Sequence, residues 1–307
     1  MKWRKLGLVW SAGGADMPAF THGMAPTPFL LSDDVLRIYL TVIDTEGRGH
    51  ARYVDVSAYN PKQVLGTSRH EVLGPGEPGA FDDNGLMPLS LVRSANDKLF
   101  LYYAGFELCR HIRYRIFTGL AVSEDNGRTF LRYSRVPILD RADGELYFRG
   151  GPFVLAEGDA FRMWYVAGDN WIDLGGKQMP VYDMRYIESV DGQHWPQTGR
   201  VSLALTHDDE HGFGRPWVVR RAPQDYQLFY SVRRKSLGAY RLGYAESNNG
   251  IDWVRKDEEM GLDVSPVGFD SQAIMYSAVV SAHGKTYCFY NGNDFGKEGF
   301  AVAELVE

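Results

Sequence analysis

Pro88-Leu89-Ser90-Leu91-Val92, then Asn96-Asp97, then Lys98-Leu99-Phe100-Leu101-Tyr102-Tyr103 is the stretch whose reading decides the fold. It is a short apolar strand, a polar turn and an aromatic strand. The same parcel closes on Ser123-Glu124-Asp125-Asn126-Gly127-Arg128-Thr129-Phe130. Short strands rich in β-branched and aromatic residues, bounded by Asn, Asp and Gly, are hairpin language. Outward from this parcel the text repeats. Pro28, Pro88, Pro152 and Pro216 stand 60, 64 and 64 residues apart, and a fifth parcel starts 61 residues further on at Ser277. The aromatic second strands recur as Val35 to Leu40, Phe161 to Tyr165, Tyr226 to Tyr230 and Lys285 to Tyr290. The turn motif recurs as Ser189-Val190-Asp191-Gly192 and Ser247-Asn248-Asn249-Gly250. Asp or Asn followed by Gly supplies a tight turn with positive φ. These motifs read as hairpins that lock each repeat.

One supersecondary unit repeated five times predicts an all-β chain: a five-bladed β-propeller, residues 1–307 forming a single domain. The last parcel stops at its third strand, and Trp3 to Trp10 is a lone strand at the start. It is therefore expected to supply the missing outer strand of the last blade and so protect the sheet edges.

Composition narrows the partners. A net charge of −6 and a pI near 5.8 argue against nucleic acid, which wants a basic surface. No apolar span reaches 18 residues and the opening stretch is short and interrupted by Gly7, so neither a membrane partner nor a secretion signal is expected. Cys109 and Cys288 form no metal-type spacing, and a reduced, cytoplasmic protein is the simplest reading. No cofactor is indicated, and the oligomeric state is not legible.

In a propeller the strand nearest the axis begins each blade, so residues just before the proline marks are expected at the channel mouth. They include His22 in repeat one, Asp82 and Asp83 in repeat two, and Glu145 and Arg149 in repeat three. Repeat four offers His211 and Arg215, and repeat five Asp270 and Tyr276. Carboxylates from different blades around one cavity suit general acid/base work on a glycosidic bond. That makes Asp83, Glu145 and Asp270 the candidate catalytic residues. His22, Asp82, Arg149, His211, Arg215 and Tyr276 are the candidate substrate-binding residues. Paired guanidiniums grip a carboxylate or phosphate, which points to a uronic or ulosonic acid, a sugar phosphate or a nucleotide sugar. His207 and His211 lack the helical context of a metal pair, so no metal site is expected. Gly74 to Gly79 matches a dinucleotide-binding string, but Pro75, Pro78 and the absence of a following helix make it a loop.

Parcels reading Pro, then Tyr-Tyr or Trp-Tyr, then Ser-x-Asp-Gly resemble the five-bladed propeller glycosidases of the family 43 and 32 type. Phe81 to Pro88, Met163 to Gly168, Arg241 to Ser247 and Tyr290 to Asn293 resemble a narrower group of glycosidase-like proteins encoded among polysaccharide-biosynthesis genes. The resemblance implies a carbohydrate-active enzyme cleaving or transferring a glycosyl group on an anionic or nucleotide-linked sugar. The alternatives are a sugar-binding propeller without catalysis, or a lyase, isomerase or cyclase with His22 or His211 as base. One departure stands out. Where those glycosidases place a glutamate before Gly-Pro or Cys-Pro, this chain reads Arg149-Gly150-Gly151-Pro152.

Overall fold

The computed structural model describes residues 1–14 and 17–307. β1 (Trp3–Trp10) is followed by five consecutive groups of strands. The first group is β2 (Thr21–Ser32), β3 (Val35–Ile43), β4 (Gly49–Ser57) and β5 (Val64–Thr67). The second is β6 (Leu86–Arg93), β7 (Leu99–Leu108), β8 (Tyr114–Ser123) and β9 (Leu131–Arg132). The third is β10 (Phe148–Glu157), β11 (Ala160–Leu174), β12 (Lys177–Ser189) and β13 (Arg200–Leu203). The fourth is β14 (Glu210–Ala222), β15 (Asp225–Arg234), β16 (Ala239–Ser247) and β17 (Val254–Arg255). The last is β18 (Met275–Ala282), β19 (Lys285–Asn291) and β20 (Phe300–Leu305). Within each group neighbours pair antiparallel, and β1 pairs antiparallel with β20, completing a fourth strand as expected. No helix among the described residues is long and apolar enough to cross a membrane.

The first strands β2, β6, β10, β14 and β18 each pack against the next, and β18 packs against β2. The chain thus closes into an all-β, propeller-type ring whose inner wall is these five strands. Each inner strand breaks register beside its mark: between Met24 and Thr27, Pro88 and Ser90, Gly150 and Phe153, Gly214 and Trp217, and Met275 and Ala278. A bulge of this kind bends the strand and re-aims a side chain. Four of the bulges carry a residue of positive φ: Ala25 (52°), Gly151 (65°), Arg215 (40°) and Tyr276 (59°). The repeat is therefore marked in its first unit by Pro26, following Ala25, and not by Pro28.

The Ser-x-Asp-Gly turns lock each meander to the one before it. Tyr39 on β3 donates to the Gly127 carbonyl at 2.8 Å, Tyr102 on β7 to Gly192 at 2.8 Å, and Trp164 on β11 to Gly250 at 2.7 Å. A Cβ at Gly127 would lie 2.0 Å from the Tyr39 hydroxyl, so the aromatic needs the glycine. Within one such turn the Asp125 carboxylate accepts from Thr129 N and Oγ1, Ser123 Oγ and Arg128 N. Partial burial raises its pKa, but those hydrogen bonds outweigh it and pull the pKa down to about 2. A depressed carboxylate contributes stability above its unfolded value near pH 4 and loses it as pH falls toward 2. Asp125→Asn is expected to flatten acid unfolding in that window, read by circular dichroism from pH 5 to pH 2.

Candidate functional site in the axial cavity

A cavity of about 320 Å³ opens where the five inner strands converge. Every meander contributes to its wall: Met24, Met87, Gly151, Arg215 and Tyr276 come from the inner strands at or beside the bulges. Phe106, Tyr114, Tyr182, Arg233 and Tyr240 rise from second and third strands, and Phe295 from the turn after β19. Its rim carries Arg113 and Lys177, both exposed. Lys177 opens β12, in the longest hairpin of the chain, which Trp171 holds against Tyr114 and Phe148 with ring centroids 5.6 and 5.5 Å apart.

The wall is cationic. Arg215 is 3% exposed and reaches from β14 to β2 and β18. It donates to the Pro26 carbonyl at 2.8 Å, the Tyr276 carbonyl at 2.9 Å and Thr27 Oγ1 at 2.7 Å, leaving Nε without a partner. Burial without a counter-anion pulls its pKa down to about 9, so it remains charged at neutral pH. Arg233 lies 4.9 Å from the Tyr240 ring centroid and 5.7 Å from that of Phe295, and its Nε is also buried and unpartnered. Tyr182 and Tyr240 share a hydroxyl hydrogen bond at 2.6 Å. Burial pushes the Tyr114, Tyr182 and Tyr276 phenols up, so they face the cavity as neutral groups. Among the described residues no Asp, Glu or His lines this cavity, and none of Arg113, Lys177, Arg215 or Arg233 forms a salt bridge. An uncompensated buried guanidinium is costly, and a bound anion removes that cost.

Arg215 and Tyr276, two of the residues expected from the sequence, line the cavity. The other seven do not. Asp82 is buried, accepting from Tyr103 at 3.1 Å and Arg132 at 2.9 Å. Asp83 is half-buried and accepts from Gly79 N at 2.9 Å. Glu145, fully buried, accepts from Tyr165 at 2.9 Å and Arg185 at 2.9 Å, with Arg149 Nε 2.5 Å away. Arg149 also donates to the Asp140 carbonyl at 2.7 Å. Asp270 pairs with Lys5 at 2.7 Å and Tyr290 at 3.2 Å. His211 is buried against the Pro180 carbonyl at 2.9 Å, and burial lowers its pKa. His22, at φ 67°, contacts Thr21 Oγ1 at 2.8 Å, and its pKa is lowered by burial and then by Lys297.

A second repeat explains these placements. In three meanders the acid ahead of the inner strand meets the second-strand tyrosine and a cation further out. These are Asp82 with Tyr103 and Arg132, Glu145 with Tyr165 and Arg185, and Asp270 with Tyr290 and Lys5. The fourth uses Glu210 with Arg255, and Arg255 and Tyr230 both meet Asp257. Each acid ties the entering loop to its own meander. In four meanders a cavity-lining residue, Met87, Gly151, Arg215 or Tyr276, stands immediately before the mark, and in the first Met24 stands two before Pro26, whereas the acids stand six or seven positions before their marks.

Arg233, Tyr114, Tyr182 and Tyr240 are not foreseen in the sequence. A signal for Arg233 exists. It stands three residues after Tyr230, where the other meanders have Phe106, Gly168 and Asn293. Gly150, at the usual glutamate place, is closed to a side chain: a Cβ there would lie 2.4 Å from Ile116 Cγ2, and Ile116 is stiff at χ1. Gly150→Glu is therefore expected to cost about 1–3 kcal/mol by overpacking and to create no glycosidase. Urea unfolding and an aryl-glycoside assay check both halves.

The fold is similar to that of solved glycoside hydrolase structures. A solved BT0996–RGII complex superposes with a TM-score of 0.78 at 20% identity, covering 99% of this chain and 91% of that one. A glycoside hydrolase superposes with the same score at 19% identity and the same coverage. A structure from work on GH130 mannoside phosphorylases and hydrolases targeting β-1,2 mannosidic linkages in Candida mannan gives 0.65 at 15%, covering 92% and 84%. No protein-family model matches the chain. The chain belongs to the family of the uncharacterized proteins Rv1502 and MT1551 of Mycobacterium tuberculosis, strains ATCC 25618 / H37Rv and CDC 1551 / Oshkosh. It is 32% identical to each over 305 residues, covering 99% of both chains.

Proposed function

We propose that this protein is a single five-bladed propeller domain, the five meanders being its blades, that takes an anionic saccharide into its axial cavity. The carrying observation is a cavity walled by the buried Arg215, the half-buried Arg233 and a set of neutral tyrosines, with no carboxylate among the described residues to balance them. Guanidinium forks match carboxylate and phosphate oxygens, and sugar rings stack on tyrosine faces while hydroxyls meet the phenols. Uronic acids, sugar phosphates and nucleotide sugars all carry the required charge. The acidic overall charge does not oppose this, because the local wall and not the net charge decides what enters.

Glycosyl cleavage or transfer is the reaction class that the glycoside hydrolase-like fold supports, and a place in polysaccharide biosynthesis in the cytoplasm fits it. The carboxylate-free wall favours a second reading, a propeller that binds sugar without hydrolysing it. Two carboxylates flanking the bond are the usual means of glycoside hydrolysis. Thermal-shift measurements with glucuronate, galacturonate and glucose 1-phosphate against glucose and galactose test the binding. Stabilisation by the acidic sugars alone is expected, and equal stabilisation by the neutral ones overturns the reading. Incubating acidic oligosaccharides in ¹⁸O-water with phosphate present separates the two: a shortened or lengthened product shows catalysis, with label in it marking hydrolysis, and no product with binding intact supports recognition alone.

A further inference from the structure

The cavity's four cations fall into two tiers. Arg215 and Arg233 lie in its interior, Arg215 at 3% exposure, and each keeps a buried Nε with no acceptor. Arg113 and Lys177 stand exposed at the rim. They come from different meanders: Arg113 immediately precedes β8, and Lys177 is the first residue of β12. Arg113 Nη1 touches only the Gln178 carbonyl at 3.4 Å and Met179 Sδ at 3.6 Å, and its guanidinium sits 5.4 Å from the Tyr114 ring centroid. Neither rim cation meets a carboxylate among the described residues. The chain has more acidic than basic residues, 39 to 33, and most of its arginines find acids, so four unpaired cations around one opening form a distinct feature.

We propose that the ligand carries two separated anionic groups, one held inside by Arg215 and Arg233 and the second at the rim by Arg113 and Lys177. The inference rests on the anionic-saccharide reading and goes beyond it by fixing the number and placement of the charges. At about 320 Å³ the cavity lies at the small end of ligand pockets, about 300–1,000 Å³, so a longer ligand emerges past the rim. Two sources share this chemistry. An acidic disaccharide places one uronate inside and the next at the rim. A nucleotide-linked uronic acid places its carboxylate inside and its diphosphate at the rim. The interior contacts are shielded and insensitive to salt, whereas the rim contacts are exposed and screened.

Calorimetric titration with galacturonate, digalacturonate, UDP-glucuronate and UDP-glucose tests this. At low salt, at least one ligand with two anionic groups, digalacturonate or UDP-glucuronate, is expected to bind about three- to thirtyfold tighter than galacturonate, as two exposed charge contacts allow. High salt and the Arg113→Gln/Lys177→Gln variant are each expected to bring that ratio close to one. A preference for digalacturonate identifies the disaccharide. A preference for UDP-glucuronate over both digalacturonate and UDP-glucose identifies the nucleotide sugar. Equal affinity for ligands with one and two anionic groups in the native protein, or a ratio that the double variant leaves intact, overturns the proposal while galacturonate binding still supports an anionic saccharide. Failure of every acidic ligand to bind overturns both.

Discussion

Glu145→Ala is expected to cost about 3–5 kcal/mol of folding stability, because removing one partner of a buried ion pair strands the others. Glu145 is fully buried and receives Arg185 at 2.9 Å, Tyr165 at 2.9 Å and Arg149 Nε at 2.5 Å. Arg149 is itself 3% exposed, and its Nη2 already lacks a partner. Losing the carboxylate therefore leaves the buried Arg149 and the half-buried Arg185 with less compensation. Glu145→Gln retains an acceptor for Tyr165 but not the charge, so it is expected to fall between alanine and the native protein. A Glu145 that served as a catalytic acid outside the packing would behave differently, with unchanged stability and lost turnover. Urea midpoints of the two variants decide between these roles.

Arg233→Met is expected to weaken acidic-sugar binding by about 30-fold or more while leaving stability unchanged or raised. The affinity loss follows from truncating one partner of a buried charge pair, about 2–5 kcal/mol. The stability side follows from replacing a half-buried guanidinium that forms no salt bridge with an apolar chain of similar reach, since even buried ion pairs often tolerate hydrophobic replacement without loss of stability. The Tyr240 and Phe295 rings that face the guanidinium at 4.9 and 5.7 Å offer methionine a compatible surface. Arg215 serves less well as a probe. Its three hydrogen bonds join β14 to β2 and β18, so its removal also loosens the ring. Calorimetry with galacturonate and a melting curve on the same Arg233→Met sample report both halves of the expectation. Arg233 is thus predicted to separate binding from folding, and Glu145 to couple them.

The fold was legible because its signals are local. The Asn-Asp turns, the aromatic second strands and the Ser-x-Asp-Gly hairpins each specify a strand or turn from a few adjacent residues, and their period gives the ring. The slip from Pro26 to Pro28 shows the limit of spacing alone, since only the bulge after Met24 reveals which proline is equivalent. The site was legible in part. Arg215 and Tyr276 stand directly before the mark and face the cavity. Asp82, Glu145 and Asp270 stand earlier and turn back toward Tyr103, Tyr165 and Tyr290. Spacing cannot say which way a loop side chain points when a tyrosine some 20 residues downstream and a cation on another strand hold it. Arg233 escaped for another reason. It lies at the far end of a second strand, and only pairing of β15 with β14 and β16 brings that end to the axis.

The most direct measurement is a crystal structure of the protein soaked with a uronic acid. The carboxylate is predicted within hydrogen-bond distance of Arg233, or of Arg215 Nε, with the ring against Tyr240 or Tyr276. A sugar bound with its carboxylate elsewhere, or with its anomeric carbon beside Asp83 or Asp270, would contradict the account.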